Sequence, residues 1–202
     1  MRVLVLYAGD LAARSVVSPG GISSNLRGYL GDLPAAWEVE VWGVGDRQEP
    51  DAWSTRELAL GRRAVRVRPL VTAGPAAGRR VPLALSYCGA LAREAAAGRV
   101  SRAGFDVVFA HRTEYLATLA LAARSSALPP ALAFIHGSSS WSVAHMGRLK
   151  GTGQVVGERL ALPLARRVAL VSESTLPYYR AKYPRFADRF VWVPNGVDVA
   201  RF

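Results

Sequence analysis

Residues 105–136 read FDVVFAHRTEYLATLALAARSSALPPALAFIH, and this stretch decides the predicted fold. Two short apolar runs flank a longer stretch with helical periodicity, which is the pattern of a strand, a helix and a second strand. Strands that are apolar throughout are typical of a parallel sheet covered on both faces. Each of the two strands leads directly into a histidine, His111 or His136.

The same alternation of strand and helix patterns extends over the whole chain. The predicted strands are Arg2–Tyr7, Glu38–Val44, Ala64–Leu70, Phe105–Ala110, Ala131–His136, Val168–Ser172 and Phe190–Val193. The predicted helices are Ile22–Leu33, Leu83–Ala97, Glu114–Ser125, Gln154–Arg166 and Thr175–Tyr183, and Gly45–Thr55 and Val71–Val81 are predicted loops. This order predicts an α/β, Rossmann-like doubly wound domain with a mainly parallel sheet of about seven strands.

The composition indicates a globular protein of the cytoplasm. Half of the 202 residues are hydrophobic, which provides enough apolar surface for one sizeable core. No stretch approaches the roughly 18 apolar residues of a membrane-spanning helix. The short apolar run at the N-terminus is followed directly by Asp10 and Arg14, unlike a secretory signal peptide. The single cysteine, Cys88, cannot form an internal disulfide.

The formal net charge of +11 raises the question of an anionic partner. Only Lys150 and Lys182 are lysines among the 26 basic residues, and the arginines are spread along the chain. A basic stripe interleaved with aromatic residues is missing from the sequence, so no nucleic-acid partner is predicted. A basic surface instead favours a phosphorylated substrate or peripheral contact with an anionic membrane.

The histidines that follow the two strands are candidate site residues. Because the carboxyl ends of parallel strands meet at one edge of a sheet, His111 and His136 are expected to face the same crevice. The alternative for each is a structural histidine that caps a strand. His111 and Glu114 also have a spacing found in metal sites, but the sequence offers no clear set of further ligands, so no metal site is predicted.

A glycine pair before the first predicted helix is a second candidate. Gly20 and Gly21 allow a tight turn and a close approach of a ligand to the backbone. The free N–H groups of the helix start would then seat a phosphate, although a plain turn before a capped helix explains the pair equally well. The chain contains neither a P-loop nor a G-x-G-x-x-G motif. It also lacks the G-x-S-x-G elbow of a serine hydrolase.

The end of the chain carries the most specific pattern. Residues 190–202 read FVWVPNGVDVARF, in which a strand ends at a rigid turn formed by Pro194, Asn195 and Gly196. With the Pro19–Gly21 loop, His136 after a central strand and the V-S-x-S segment at 171–174, the chain resembles the GT-B glycosyltransferases of family 4. The resemblance implies two facing Rossmann-like domains, retaining transfer from a nucleotide-sugar and the strand order 3-2-1-4-5-6-7.

The resemblance also implies roles for individual residues. His136 would be the catalytic residue that orients a sugar hydroxyl. Gly20, Gly21 and Ser172 would contact the donor sugar or its phosphates. The acceptor side would contain His111, Arg112 and Glu114, and the acceptor would be a glycan, a lipid-linked sugar or a small molecule. No cofactor or metal is implied, because helix dipoles and basic side chains steady the departing diphosphate in this family.

The domain arrangement follows from the same resemblance. Residues 1–194 would form the N-terminal, acceptor-side domain, and 195–202 would begin the interdomain linker. The donor-binding domain, with the family's E-x7-E motif, would lie outside this chain, which alone is expected to be inactive. Two alternatives stay open, a nicotinamide-binding oxidoreductase domain and a non-catalytic ligand-binding domain. The former is a poor match, because it would require a G-x-G-x-x-G motif and the run Gly43–Asp46 fits the expected end of the second strand poorly.

Overall fold

The structure is a computed structural model that describes residues 1–9, 11, 21–47, 49–61, 63–73, 81–123, 128–137 and 148–194. The described residues fall into two compact units, Met1–Ala90 and Leu91–Pro194. The expected single domain over residues 1–194 stays a prediction. The expected linker at 195–202 and Gly20 both lie outside the described residues.

The first unit is built on three parallel strands and one antiparallel strand. Its elements are β1 (Arg2–Leu6), α1 (Gly21–Asp32), β2 (Glu38–Asp46), β3 (Arg56–Leu60), β4 (Arg63–Ala73) and the start of α2 (Leu83–Ala96). The strand order is β3-β4-β2-β1. Strand β2 pairs in parallel with both β1 and β4. Apart from β3, this order agrees with the predicted 3-2-1.

Burial explains why the strands of this unit are continuously apolar. Residues 3–6 of β1 have no exposed surface, since both faces of the strand are covered. Val41, Val65 and Val67 of the neighbouring strands are also buried, and α1 contributes Leu26 and Leu30 to the core. Each such side chain stabilises the fold by about 1.5–3 kcal/mol relative to an exposed position.

Strand β3 is the described strand that the sequence did not predict. It pairs antiparallel with β4, from Arg56 opposite Val67 to Leu60 opposite Arg63. Gly61 has a φ of 58°, a conformation that favours glycine, and it turns the chain back into β4. The additional hairpin strand raises the number of described strands to eight. The predicted loop at 71–81 also begins too early, because β4 continues to Ala73.

The second unit is a parallel arrangement of four strands with helices between them. It contains the rest of α2, then α3 (Arg99–Arg102), β5 (Val107–Ala110), α4 (Thr113–Ala122), β6 (Ala131–Ile135), α5 (Arg148–Ala161), β7 (Ala165–Leu170), α6 (Leu176–Lys182) and β8 (Phe190–Trp192). Short 3-10 helices cover Glu173–Thr175 and Pro184–Arg189. The strand order is β5-β6-β7-β8, as predicted for strands 4 to 7.

The predicted helix at Gln154–Arg166 has wrong boundaries at both ends. Helix α5 begins at Arg148 and ends at Ala161. Pro163 lacks the N–H that a helix requires and disfavours helical backbone at the residue before it, so the helix ends at this point. Arg166 therefore belongs to β7, which begins at Ala165 instead of the predicted Val168.

Two glycines of α5 provide a test of how closely this helix packs. Gly157 is buried against the start of α4, where an added Cβ would lie 2.9 Å from Cγ and 3.2 Å from Cα of Glu114. We expect Gly157→Ala to lower the free energy of unfolding by about 1–3 kcal/mol. The matched control is Gly153→Ala, because a Cβ there meets no atom within 4 Å. Since alanine favours helix, the control should stabilise by about 0.5–1 kcal/mol in urea unfolding. A gain in stability from both variants would contradict the close α4–α5 packing.

Candidate functional site

The two strand-end histidines lie in contact with each other. Nδ1 of His111 is 3.3 Å from Nε2 of His136, within hydrogen-bond distance. Their positions follow from the register of β5 and β6, in which Ala110 is opposite Ala133. His111 therefore lies beside Phe134 and stacks on it, with ring centroids 4.4 Å apart. The structure therefore brings the two strand-end histidines together, and their roles in a site stay predictions.

The two imidazoles differ in how much solvent they reach. His111 is only 2% exposed, whereas His136 is partly exposed. Burial lowers the pKa of His111 well below its usual range, and the adjacent His136 lowers it further. Burial, and to a lesser extent the positive charge of Arg112, lowers the pKa of His136 to about 4. Both rings are therefore neutral at pH 7.

Neutrality couples the tautomers of the pair. A neutral imidazole has one N–H and one lone pair, so one ring donates the hydrogen bond and the other accepts it. If His111 donates from Nδ1, His136 carries its own hydrogen on Nδ1. If His136 donates from Nε2, its Nδ1 becomes an acceptor. The buried ring thus determines whether the exposed ring offers a donor or an acceptor.

Arg112 and Glu114 form an ion pair beside the histidines. The guanidinium of Arg112 donates to Oε1 of Glu114 at 3.0 Å, and the hydroxyl of Thr113 donates to Oε2 at 3.3 Å. Glu114 lies in the first turn of α4, where the helix dipole stabilises a negative charge. Both charged side chains remain partly exposed, and their acceptor-side role stays a prediction.

The candidate donor residues lie in different parts of the chain. Gly21 is the first residue of α1 in the first unit. Ser172 follows β7 in the second unit; it is exposed, and its Oγ is 2.9 Å from Oγ of Ser174. Their contact with a donor stays a prediction.

A buried carboxylate that the sequence did not single out lies below the end of β6. Glu158 of α5 has no exposed surface. Its Oε2 accepts hydrogen bonds from Nζ of Lys182 at 2.9 Å and from the hydroxyl of Tyr183 at 2.8 Å. Its Oε1 accepts one from the hydroxyl of Tyr179 at 2.9 Å. These four residues, Glu158, Tyr179, Lys182 and Tyr183, are called the Glu158 cluster below.

The surroundings of Lys182 and Tyr183 in the Glu158 cluster determine their protonation states. Burial acts to lower the pKa of Lys182, but the hydrogen bond and negative charge of Glu158 outweigh it and leave that pKa above its usual value. Burial and the same carboxylate raise the pKa of Tyr183 to about 12. Lys182 is therefore charged and Tyr183 neutral at physiological pH, which makes both of them donors to Glu158.

Within the described part of the chain, no group of three or more His, Cys, Asp or Glu side chains is arranged to hold a metal ion. None of the described helices has the length and apolar character needed to cross a bilayer.

The histidine pair predicts an acid-sensitive fold. Since the pKa of His136 is about 4 in the folded chain and about 6.5 when unfolded, the unfolded chain binds protons first as the pH falls. The neutral form of His136 therefore contributes fully to the free energy of unfolding above pH 6.5. This contribution is lost as the pH falls towards 4, and the loss for this group reaches about 3 kcal/mol. Urea unfolding between pH 7.5 and 4.5 should show a steeper decline for the wild type than for His136→Asn. Equal slopes would contradict the depressed pKa.

The strand order and the strand-end residues define a Rossmann-like α/β fold with polar groups at the carboxyl ends of parallel strands. Residues 19–201 match the family model described as Glycosyltransferase Family 4. The match covers most of the chain, so this protein chain belongs to glycosyltransferase family 4. A sequence search of curated proteins finds no match.

Several solved structures share the fold at low sequence identity. UDP-GlcNAc 2-epimerase from Neisseria meningitidis, solved with bound UDP-GlcNAc, superposes with a TM-score of 0.57 and 13% identity over 96% of this chain and 47% of its own. The UDP-GlcNAc 2-epimerase from Methanocaldococcus jannaschii superposes with a TM-score of 0.54 and 10% identity over 96% of this chain and 46% of its own. The N-terminal domain of trehalose-6-phosphate phosphatase from Candida albicans superposes with a TM-score of 0.55 and 12% identity over 99% of this chain and 49% of its own.

These similarities concern the fold alone, and they agree with the predicted Rossmann-like half of the GT-B architecture. The chain spans about half the length of the solved structures that it matches.

Proposed function

We propose that this chain is the N-terminal, acceptor-side domain of a retaining glycosyltransferase that uses a nucleotide-sugar donor. The acceptor is a glycan, a lipid-linked sugar or a small molecule. One observation carries the proposal: in a chain of glycosyltransferase family 4, a partly exposed neutral imidazole, His136, stands at a strand end and contacts a buried one, His111. Family membership favours sugar transfer over the nicotinamide-binding alternative.

The chemistry fits a neutral histidine. In the transfer, the bond between the anomeric carbon and the diphosphate breaks, the acceptor oxygen bonds to that carbon, and the proton of the acceptor hydroxyl passes to the departing diphosphate. A sugar hydroxyl near the reacting carbon must be held in a fixed orientation, because misplacement by an ångström is costly to rate. His136 can donate to or accept from such a hydroxyl without introducing a positive charge. We propose that it orients the donor sugar in this way.

The remaining site residues complete the proposal. Ser172 at the next strand end, Gly21 at the start of α1 and the preceding Gly20 would contact the donor sugar or its phosphates. Arg112 and Glu114 would contact hydroxyl groups of the acceptor. The donor class is supported by the Neisseria epimerase, a protein of the same fold that is bound to UDP-GlcNAc. No metal or other cofactor is proposed.

The domain boundaries and location belong to the same proposal. Residues 1–194 would form one wall of the catalytic cleft and 195–202 the start of the linker to a donor-binding domain. We propose a cytoplasmic protein whose net charge of +11 supports peripheral contact with anionic lipid at the inner face of the membrane.

The test compares residues 1–202 with a protein extended through the second domain. Calorimetry with a panel of UDP-, GDP- and ADP-sugars should show donor binding by the extended protein and hardly any by the short one. Release of nucleoside diphosphate in the presence of acceptors should require the extended protein, because both walls are needed to exclude water. Tight donor binding or sugar transfer by residues 1–202 alone would overturn the domain assignment. Binding of a nicotinamide cofactor instead of a sugar nucleotide would overturn the function.

A further inference from the structure

The backbone next to His136 is contacted by two polar side chains of the described residues. Gly137 is exposed, and a Cβ added there would meet no atom within 4 Å. Its carbonyl oxygen accepts a hydrogen bond from Nε2 of Gln154 at 3.4 Å and lies 3.2 Å from the hydroxyl of Tyr179, whose single hydrogen is shared between this oxygen and Oε1 of Glu158. Among the described residues, these two side chains therefore restrain the backbone that follows the imidazole.

The Glu158 cluster in turn fixes the hydroxyl of Tyr179. Tyr179 has no exposed surface, and its hydroxyl lies between the carbonyl of Gly137 and Oε1 of Glu158. The Tyr179 ring is also enclosed by aromatic neighbours, with centroids 5.6 Å from Phe190 and 6.4 Å from Tyr183. A side chain held at both its ring and its hydroxyl is a rigid support for the strand end.

We infer that Tyr179, anchored on the buried carboxylate of Glu158, is a positioning residue that fixes the backbone at Gly137 and thereby the ring of His136. The inference rests on the proposed function, since it assigns a supporting residue to the same site. Tyr179 acts through His136 and is not itself placed against the substrate. Through Tyr179, the Glu158 cluster connects helices α5 and α6 to the backbone that follows β6.

Two phenols of the cluster provide a matched pair of variants. Tyr179→Phe and Tyr183→Phe each remove one hydroxyl that donates to Glu158, but only the hydroxyl of Tyr179 also contacts Gly137. Both variants keep the aromatic ring and its packing, so both are expected to fold. A purely structural role for the cluster predicts similar effects of the two substitutions.

The experiment measures transfer kinetics and the histidine signals of the protein extended through its second domain. We expect Tyr179→Phe to lower kcat by about tenfold, the equivalent of one lost hydrogen bond, with KM for the nucleotide-sugar changed by less than about twofold. Tyr183→Phe should keep kcat within about twofold of the wild type. With ¹⁵N-labelled histidine, the imidazole signals of His136, assigned with His136→Asn, should shift in Tyr179→Phe and not in Tyr183→Phe.

Equal changes in the two variants, in kcat or in the His136 signals, would overturn the inference, as would no change in either. A wild-type protein without transferase activity would overturn the proposed function instead. In that case the imidazole signals still decide whether Tyr179 positions His136, so the two failures are distinguishable.

Discussion

Replacing His136 by alanine is expected to lower the turnover of the protein extended through its second domain by about 10²–10³-fold. This is the loss that follows removal of one preorganised hydrogen-bonding group from a reaction centre. The free energy of unfolding should fall by only about 1 kcal/mol at pH 7.5, because the variant loses one hydrogen bond, at 3.3 Å to His111, and the ring is partly exposed. Initial rates with saturating donor and urea unfolding measure the two effects.

The control for this substitution is His136→Gln. The amide of glutamine can occupy the position of Nε2 and keep a hydrogen bond to His111, but it cannot reproduce the ring nitrogen Nδ1. If Nδ1 faces the substrate, His136→Gln should be nearly as slow as His136→Ala while being as stable as the wild type. If the loss of turnover in both variants is no larger than the fraction of the protein that is unfolded, then His136 is a structural residue.

The sequence predicts this strand-end pair because the signal is local. A strand that is apolar on both faces and ends in a polar residue is visible within seven letters, as in the run from Phe105 to His111. The meeting of two such ends then follows from parallel pairing, since Ala110 and Ala133 share a register position. What the sequence could not supply is the difference in burial between His111 and His136, because it depends on Phe134 and on the helices above the sheet.

Strand β3 was missed for the opposite reason. Its residues RELAL begin with two charged residues, Arg56 and Glu57, and continue with three apolar ones, so the sequence lacks the alternation that marks a half-buried strand. Half-exposed edge strands carry little hydrophobic signal, so their pairing is decided by the partner strand. Gly61, which ends β3, was the available signal for a hairpin.

The Glu158 cluster could not be predicted from the sequence, because its residues come together only in the folded chain. Glu158 lies three residues after Val155 and four before Leu162, at positions that face the core in a helix. A carboxylate at such a position is a sign of a buried partner, since ionised groups are rarely buried alone. Apart from Gln154 on the same helix, its hydrogen-bond partners among the described residues come 21 to 25 residues later in the chain, and no spacing rule connects the two segments.

Removing the cation of this cluster is expected to have the largest effect on stability. Lys182 donates to Glu158 at 2.9 Å, and Lys182→Met would leave a carboxylate with no exposed surface supported by hydrogen bonds from neutral groups. Breaking one side of a buried ion pair costs about 3–5 kcal/mol. Because the Lys182 side chain is 24% exposed, we expect the lower end, about 3 kcal/mol, in urea unfolding at pH 7.

Because Glu158 is more deeply buried than Lys182, substitution of the two partners should lower the free energy of unfolding by different amounts. A double-mutant cycle can measure this difference. In Glu158→Gln the remaining charge is on Lys182, which can still reach water, so we expect a loss of only about 1–2 kcal/mol. The double variant should be more stable than Lys182→Met alone, because it contains no uncompensated buried charge. If Glu158→Gln instead destabilises as much as Lys182→Met, or if the two losses add, then the two phenols rather than the ammonium group hold the carboxylate in place.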